Sequence, residues 1–191
     1  EVAMPRNFMF TKEQVINAAI ELTRERGFAA VTARALGEKL GSSSKPVFSL
    51  FENMEELQDE VMRSAFELHR KYLEEYMAGS EYPPYKASGM AYIRFAKEER
   101  ELFMLLFMHE RSGAETEKRD IESTPLIEML KEKLHLSDDE AHLFHLEMWV
   151  FVHGIASMLA TSYLDFDEEQ ISRMLTDVYR GLCLLFGSAQ Q

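Results

Sequence analysis

The chain has 191 residues, 46% of them hydrophobic, with 9 Gly and 5 Pro; this composition fits one large folded domain or two smaller ones and excludes extensive disorder. Its net charge of −12 argues against a protein that coats nucleic acid, but the acidity is uneven: through Leu57 seven Lys+Arg stand against eight Asp+Glu, and after it fourteen against twenty-five. Cys183 is the single cysteine, which excludes an internal disulfide and suits a reducing cytoplasm. No secretory signal is visible in "EVAMPRNFMF", and apolar runs such as "LFMLLFM" read as too short to cross a bilayer.

Every element readable from the pattern is helical, so the expected fold class is all-α. Residues 1–9 read as a tail. In "FTKEQV", Thr11 is placed to cap a first helix, with Gln14 reaching back and Phe10 stapling onto Val15. Val15, Ala18, Ala19 and Leu22 form its apolar stripe, which stops before Gly27. Thr32 opens a short second helix, "ARALGEKL", closed by Gly41. A third can begin at Ser43 or Ser44, where Pro46 still falls in the tolerated first turn. A fourth runs from about Met54 to the break at "GSEYPPY". Two further helices follow, then a polar loop around "RSGAETEKRDIE". A helix restarts at "STPLIEM", another opens at a Ser137–Glu140 capping box, and the last follows Asp167 and ends at Gly187.

The stretch "LGSSSKPVFSLF" carries the functional expectation. Two short helices joined by a Gly-containing turn make a helix-turn-helix, whose second helix can enter a DNA major groove. Ser43, Ser44, Lys45, Pro46 and Ser49 have no apolar partner to bury, yet small polar side chains suit phosphates and base edges. Val47, Leu50 and Phe51 would anchor the helix, and free N–H groups at its start favour phosphate. The same spacing also serves as a capped connector in a helical bundle.

Residues 15–57, "VINAAIELTRERGFAAVTARALGEKLGSSSKPVFSLFENMEEL", resemble the DNA-binding domain of the tetracycline-repressor-like (TetR) family of bacterial transcription factors. "AYIRFAKEERELFMLLF" and "WVFVHGIASML", with Trp149, His153 and Gly154, resemble the ligand and dimer domain of its Trp-His-Gly sensor subfamily. The resemblance implies a helix-turn-helix domain over 1–57 and a sensing and dimerisation domain over 58–191. It implies a homodimeric repressor on a palindromic double-stranded operator, released by a small apolar or aromatic ligand, with no cofactor and no membrane. Thr32, Arg34, Ser43, Ser44, Lys45, Pro46, Phe48 and Ser49 are the expected DNA-facing residues. Phe48 stands where the family usually has tyrosine and cannot donate a hydroxyl; Leu50 and Met54 also depart from the pattern. A relative with weakened DNA recognition, or a helical module that binds a protein, are the alternatives.

The back part offers apolar, adaptable side chains rather than catalytic ones. Tyr92, Phe95, Phe103, Phe107, Met148, Trp149 and His153 are the candidate ligand contacts. Ile171, Met174, Leu175, Val178, Leu182, Leu185 and Phe186 share one face of the last helix and form the candidate dimer stripe. His142 and His145 lack a third ligand at defensible spacing, so no metal is expected and both read as a solvated face. Cys183 reads as a small buried apolar residue, and no nucleophile motif marks an enzyme.

Overall fold

The computed structural model describes residues 10–108 and 124–188, which form helices joined by short turns and contain no strand. In chain order the helices are α1 (Lys12–Arg26), α2 (Ala33–Lys39), α3 (Lys45–Leu50), α4 (Met54–Gly79), α5 (Pro84–Glu98), α6 (Arg100–Phe107), α7 (Thr124–Leu134), α8 (Asp138–Ala160) and α9 (Glu168–Ser188). The tail, residues 1–9, and the loop around "RSGAETEKRDIE" lie outside the described residues.

Local signals explain where these helices start. Thr11 Oγ1 accepts the Gln14 N–H at 3.1 Å and Gln14 Oε1 accepts the Thr11 N–H at 2.9 Å, the reciprocal pair read from the sequence. Ser137 and Glu140 repeat it at α8, and Asp167 with Gln170 repeats it at α9. Each such cap satisfies N–H groups that a helix start leaves bare and stabilises by about 1 kcal/mol. The far end of α9 differs from expectation: the helix continues through Gly187, which has no positive φ, to Ser188, the last described residue.

The chain forms two compact units. The first comprises residues 1–71 and 99–108, the second residues 72–98 and 109–191. Packing in the first unit therefore draws on α4 beyond residue 57, and it recovers α6 after an excursion. Its core collects Val15, Ala19 and Leu22 of α1, Leu36 of α2, Val47 of α3 and Leu57 and Val61 of α4. α6 packs on α1 and buries Leu102, Phe103 and Leu106 completely. A fork of Arg24 Nε and Nη2 onto both oxygens of Glu99, at 2.8 and 2.7 Å, ties the end of α1 to the start of α6.

In the second unit α5 packs along α8, with α7 and α9 against α8. Gly89 faces this layer, where a Cβ would stand at contact distance, 3.4 Å, from both Leu175 Cδ1 and Val152 Cγ2. α8 is long and apolar enough to cross a membrane by length and composition, contrary to the expectation from its sequence. Its Phe144, Met148, Val152, Ile155 and Leu159 are buried inside this unit, as in the central helix of a packed layer.

Candidate nucleic-acid interface and ligand domain

The turn between α2 and α3 is fixed by backbone geometry. Gly41 has φ +66°, the left-handed region; its N–H donates to Glu38 O at 3.1 Å while the Ser42 N–H donates to Gly37 O at 2.8 Å. These two bonds close α2 as a Schellman motif. Gly37 has a separate role. A Cβ on it would fall 2.7 Å from the Ser43 carbonyl carbon and 3.0 Å from Ser44 N, so only glycine lets the start of α3 approach α2 this closely. Sequence reading missed Gly37; its signal is a small residue in the middle of a seven-residue helix.

That approach orients α3. Val47 and Phe51 turn inward with 1% and 2% exposure, while Ser43, Lys45, Phe48 and Ser49 face outward. Thr32 Oγ1 caps α2 by accepting the Ala35 N–H at 3.2 Å. Ser44 occupies the N-cap position of α3 without a side-chain cap, Pro46 sits in its first turn, and Leu50 is half-buried. The Ser49 hydroxyl donates to Pro46 O at 2.7 Å. Arg34 Nε donates to Glu38 at 3.0 Å, one turn along α2. Lys39 bridges Glu21 and Glu25 of α1, which raises its pKa and lowers that of Glu25 through their hydrogen bond. Among the described residues no carboxylate pairs with Lys45.

The expected ligand contacts divide between the units. Phe103 and Phe107 belong to the first, where Phe107 meets Phe66 edge-on at 6.3 Å and His69 at 5.1 Å. Burial holds the His69 pKa down at about 4. Tyr92, Phe95, Met148, Trp149 and His153 belong to the second unit. There Trp149 and His153 stack at 4.9 Å with an 11° interplanar angle, and the Tyr92 hydroxyl lies 3.0 Å from His153 Nδ1. Phe95 and Met148 are buried beside them in sequence. A separate cavity of about 270 Å³ is lined by Tyr76, Met90, Ile93, Phe166 and Ile171 and rimmed by Arg94 and Glu98; none of the expected ligand residues lines it.

The histidine pair on α8 is corrected. His142 is exposed, with Nδ1 2.7 Å from Asp138 O, but His145 is 5% exposed and lies 3.1 Å from the Tyr85 hydroxyl. α8 is apolar on both sides here, so spacing did not reveal which face turns inward. Cys183 is half-buried rather than buried, and its thiol meets Tyr179, whose pKa rises to about 12 chiefly by burial. On α9 the apolar stripe splits. Ile171, Leu175 and Phe186 are buried within the unit, Met174, Val178 and Leu182 are half-buried, and Leu184 and Leu185 are exposed. On α8, Leu143, Leu146, Val150 and Met158 form an exposed row at helical spacing.

Comparison with known proteins decides the family. The sequence pattern "Bacterial regulatory proteins, tetR family" matches residues 15–61, and "Tetracyclin repressor-like, C-terminal domain" matches residues 85–180. The chain belongs to the TetR family. The description of the second pattern does not name the Trp-His-Gly subfamily. Among solved structures, a protein of unknown function from Rhodococcus sp. RHA1 is similar at 21% identity and TM-score 0.74, over 94% of this chain and 99% of that one. A TetR-like transcriptional regulator from the same organism follows at 17% and 0.65, over 90% and 94%. The multidrug binding protein EbrR, solved with imidazole, matches at 15% and 0.53, over 87% and 93%. No functionally curated protein matches the chain. TetR membership makes α1–α3 a helix-turn-helix DNA-binding domain and the chain a transcriptional regulator.

Proposed function

We propose that this TetR-family chain is a cytoplasmic repressor that binds a palindromic operator as a homodimer and is released by a small apolar or aromatic ligand. The observation that carries this reading is the division of labour on α3. Val47 and Phe51 anchor the helix, leaving Ser43, Lys45, Phe48 and Ser49 on a solvent face with an unpaired cation. Arg34 supports it: its pair with Glu38 is exposed and contributes at most about 0.5 kcal/mol, so a phosphate competes readily for the guanidinium. The functional boundary, 1–57 against 58–191, follows the role of α1–α3 rather than the packing.

For the dimer, the Leu143–Leu146–Val150–Met158 row and the exposed end of α9 offer a second copy an apolar face. A two-fold axis would place two α3 helices in successive major grooves, about 34 Å apart. For the ligand, Tyr92, His153 and Trp149 combine aromatic surface with one polar pair, as a site for a planar apolar compound requires. That element also underlies the likeness to the Trp-His-Gly subfamily, and EbrR's imidazole is consistent with it. Coupling between ligand and operator is expected at about 1–3 kcal/mol, or roughly 5–150-fold in affinity.

One observation favours a second reading, weakened recognition. Phe48 exposes 54% of its surface where the family usually presents a hydroxyl-bearing ring. Selection from a random duplex pool separates the two: enrichment of a palindrome supports the repressor, and an unchanged pool supports weakened recognition. With an operator in hand, Lys45→Ala should cost about 1–3 kcal/mol if Lys45 reads a base, and less but uniformly if it holds phosphate. No loss at low salt removes Lys45 from the interface.

A further inference from the structure

We propose that Lys86, Arg180, Ser172 and Thr176 form a binding site for a small oxyanion, a phosphate or carboxylate group, between α5 and α9 of the second unit. Lys86 Nζ donates to Ser172 Oγ at 2.6 Å and to Thr176 Oγ1 at 2.9 Å, and it lies 4.7 Å from the centre of the Tyr82 ring. Its partners are thus two neutral hydroxyls and a ring face. Among the described residues no carboxylate pairs with Lys86 or with Arg180.

The chain's composition gives that weight. It holds 33 acidic against 21 basic residues, and other cations of this unit have acids: Arg94 has Glu98, Lys97 has Asp165, and Arg173 on α9 itself has Asp177. Among the described residues Lys86 and Arg180, like Lys45 on α3, have no such acid beside them. Burial and the nearby Arg180 charge both push the Lys86 pKa down, which is the direction expected of a cation lacking its counter-charge.

The hydrogen-bonding capacity points the same way. Thr176 Oγ1 gives its hydrogen to Ser172 O at 2.8 Å, and Ser172 Oγ, which accepts from Lys86, keeps its own hydrogen to donate. Lys86 has a third N–H, and Arg180, one helical turn beyond Thr176 as Thr176 is beyond Ser172 on α9, carries a whole guanidinium. The unused donors lie on two cations and the Ser172 hydroxyl, which suits an acceptor-only anion, and the two positive charges repel a cation. Neither Arg180 nor Lys86 belongs to the proposed ligand or DNA contacts, so this site stands independently of them.

The experiment uses the whole chain. Thermal stability is measured against inorganic phosphate in one series and acetate in another, each balanced with sodium chloride to constant ionic strength. A saturable rise in melting temperature is expected with at least one anion, and which anion works identifies the tetrahedral or planar class. Arg180→Gln, at an exposed position, should raise the half-saturating concentration about tenfold, and Lys86→Gln at least as much. In the wild type, side-chain NMR of Lys86 should shift with the same midpoint. No saturable rise with either anion overturns the proposal. So does an unchanged midpoint in Arg180→Gln, which keeps the test decisive even if Lys86→Gln does not fold.

Discussion

The α2–α3 corner of the first unit is decided by close backbone approach; the α5–α8–α9 layer of the second closes around rings. The α2–α3 corner depends on Gly37, whose absent Cβ admits the Ser43–Ser44 backbone, and on Gly41 at φ +66°. The α5–α8–α9 layer instead closes around Phe144, whose ring lies 6.4 Å from Tyr85, 5.5 Å from Tyr179 and 5.4 Å from Phe186. The difference predicts opposite sensitivities. A corner held by close backbone approach suffers when an atom is added, whereas a ring cluster suffers when atoms are removed.

The largest expected effect belongs to the rings. Phe144→Ala should destabilise by about 3–5 kcal/mol in urea unfolding, because a fully buried ring leaves a cavity its aromatic neighbours cannot fill. A loss below about 1 kcal/mol would mean that the layer collapses freely, and the contrast between the units would fail.

Next is a pH effect confined to the first unit. His69 is held neutral by burial, with its pKa lowered from 6.5 to about 4. The unfolded chain binds a proton in that window and the folded one does not, so stability is full above about pH 6.5 and falls as pH drops towards 4. The loss reaches about 3 kcal/mol at most. Urea unfolding at pH 7 and pH 5 should show the difference, and His69→Gln should flatten it. An equal slope in both proteins would assign the acid sensitivity elsewhere.

The corner comes third. Gly37→Ala places a methyl 2.7 Å from backbone that has no rotamer to move, and about 1–3 kcal/mol should be lost. Amide exchange should rise at Val47 while it stays unchanged at Phe144. Protection lost equally at both positions would remove the distinction.

The smallest effect has the opposite sign. Gly154 lies inside α8 with nothing within 4 Å of where a Cβ would stand. Gly154→Ala should therefore stabilise by about 0.5–1 kcal/mol through helix propensity. Sedimentation of the same variant sharpens the dimer reading: a retained dimer leaves room at Gly154, and a monomer places it in the interface.

What the sequence disclosed followed the range of each interaction. Thr11, Ser137 and Asp167 were legible as caps because both partners of each cap lie within three residues. Val47 and Phe51 were legible as anchors because their spacing repeats with the helix. Arg24 and Glu99, 75 residues apart, have no such pattern, so the return of α6 to the first unit was hidden. With it went the true company of Phe103 and Phe107. His145 was misjudged because α8 is apolar on more than one side, leaving periodicity nothing to distinguish. Lys86 gave no sign at all, since its two hydroxyl partners lie 86 and 90 residues downstream.

The same fork of Arg24 onto Glu99 has a consequence for how the chain emerges during synthesis. The first unit is interrupted: residues 72–98 leave it and α6 comes back. A nascent chain that has released only α1 to α4 therefore lacks Leu102, Phe103 and Leu106, the apolar cover of α1. The DNA-binding helices lack that cover until residues 99–108 have been made, so they are expected to be less stable alone than in the whole chain. A gene fragment cut after "GSEYPPY" would deliver the recognition helix on a unit whose α1 is missing its apolar cover.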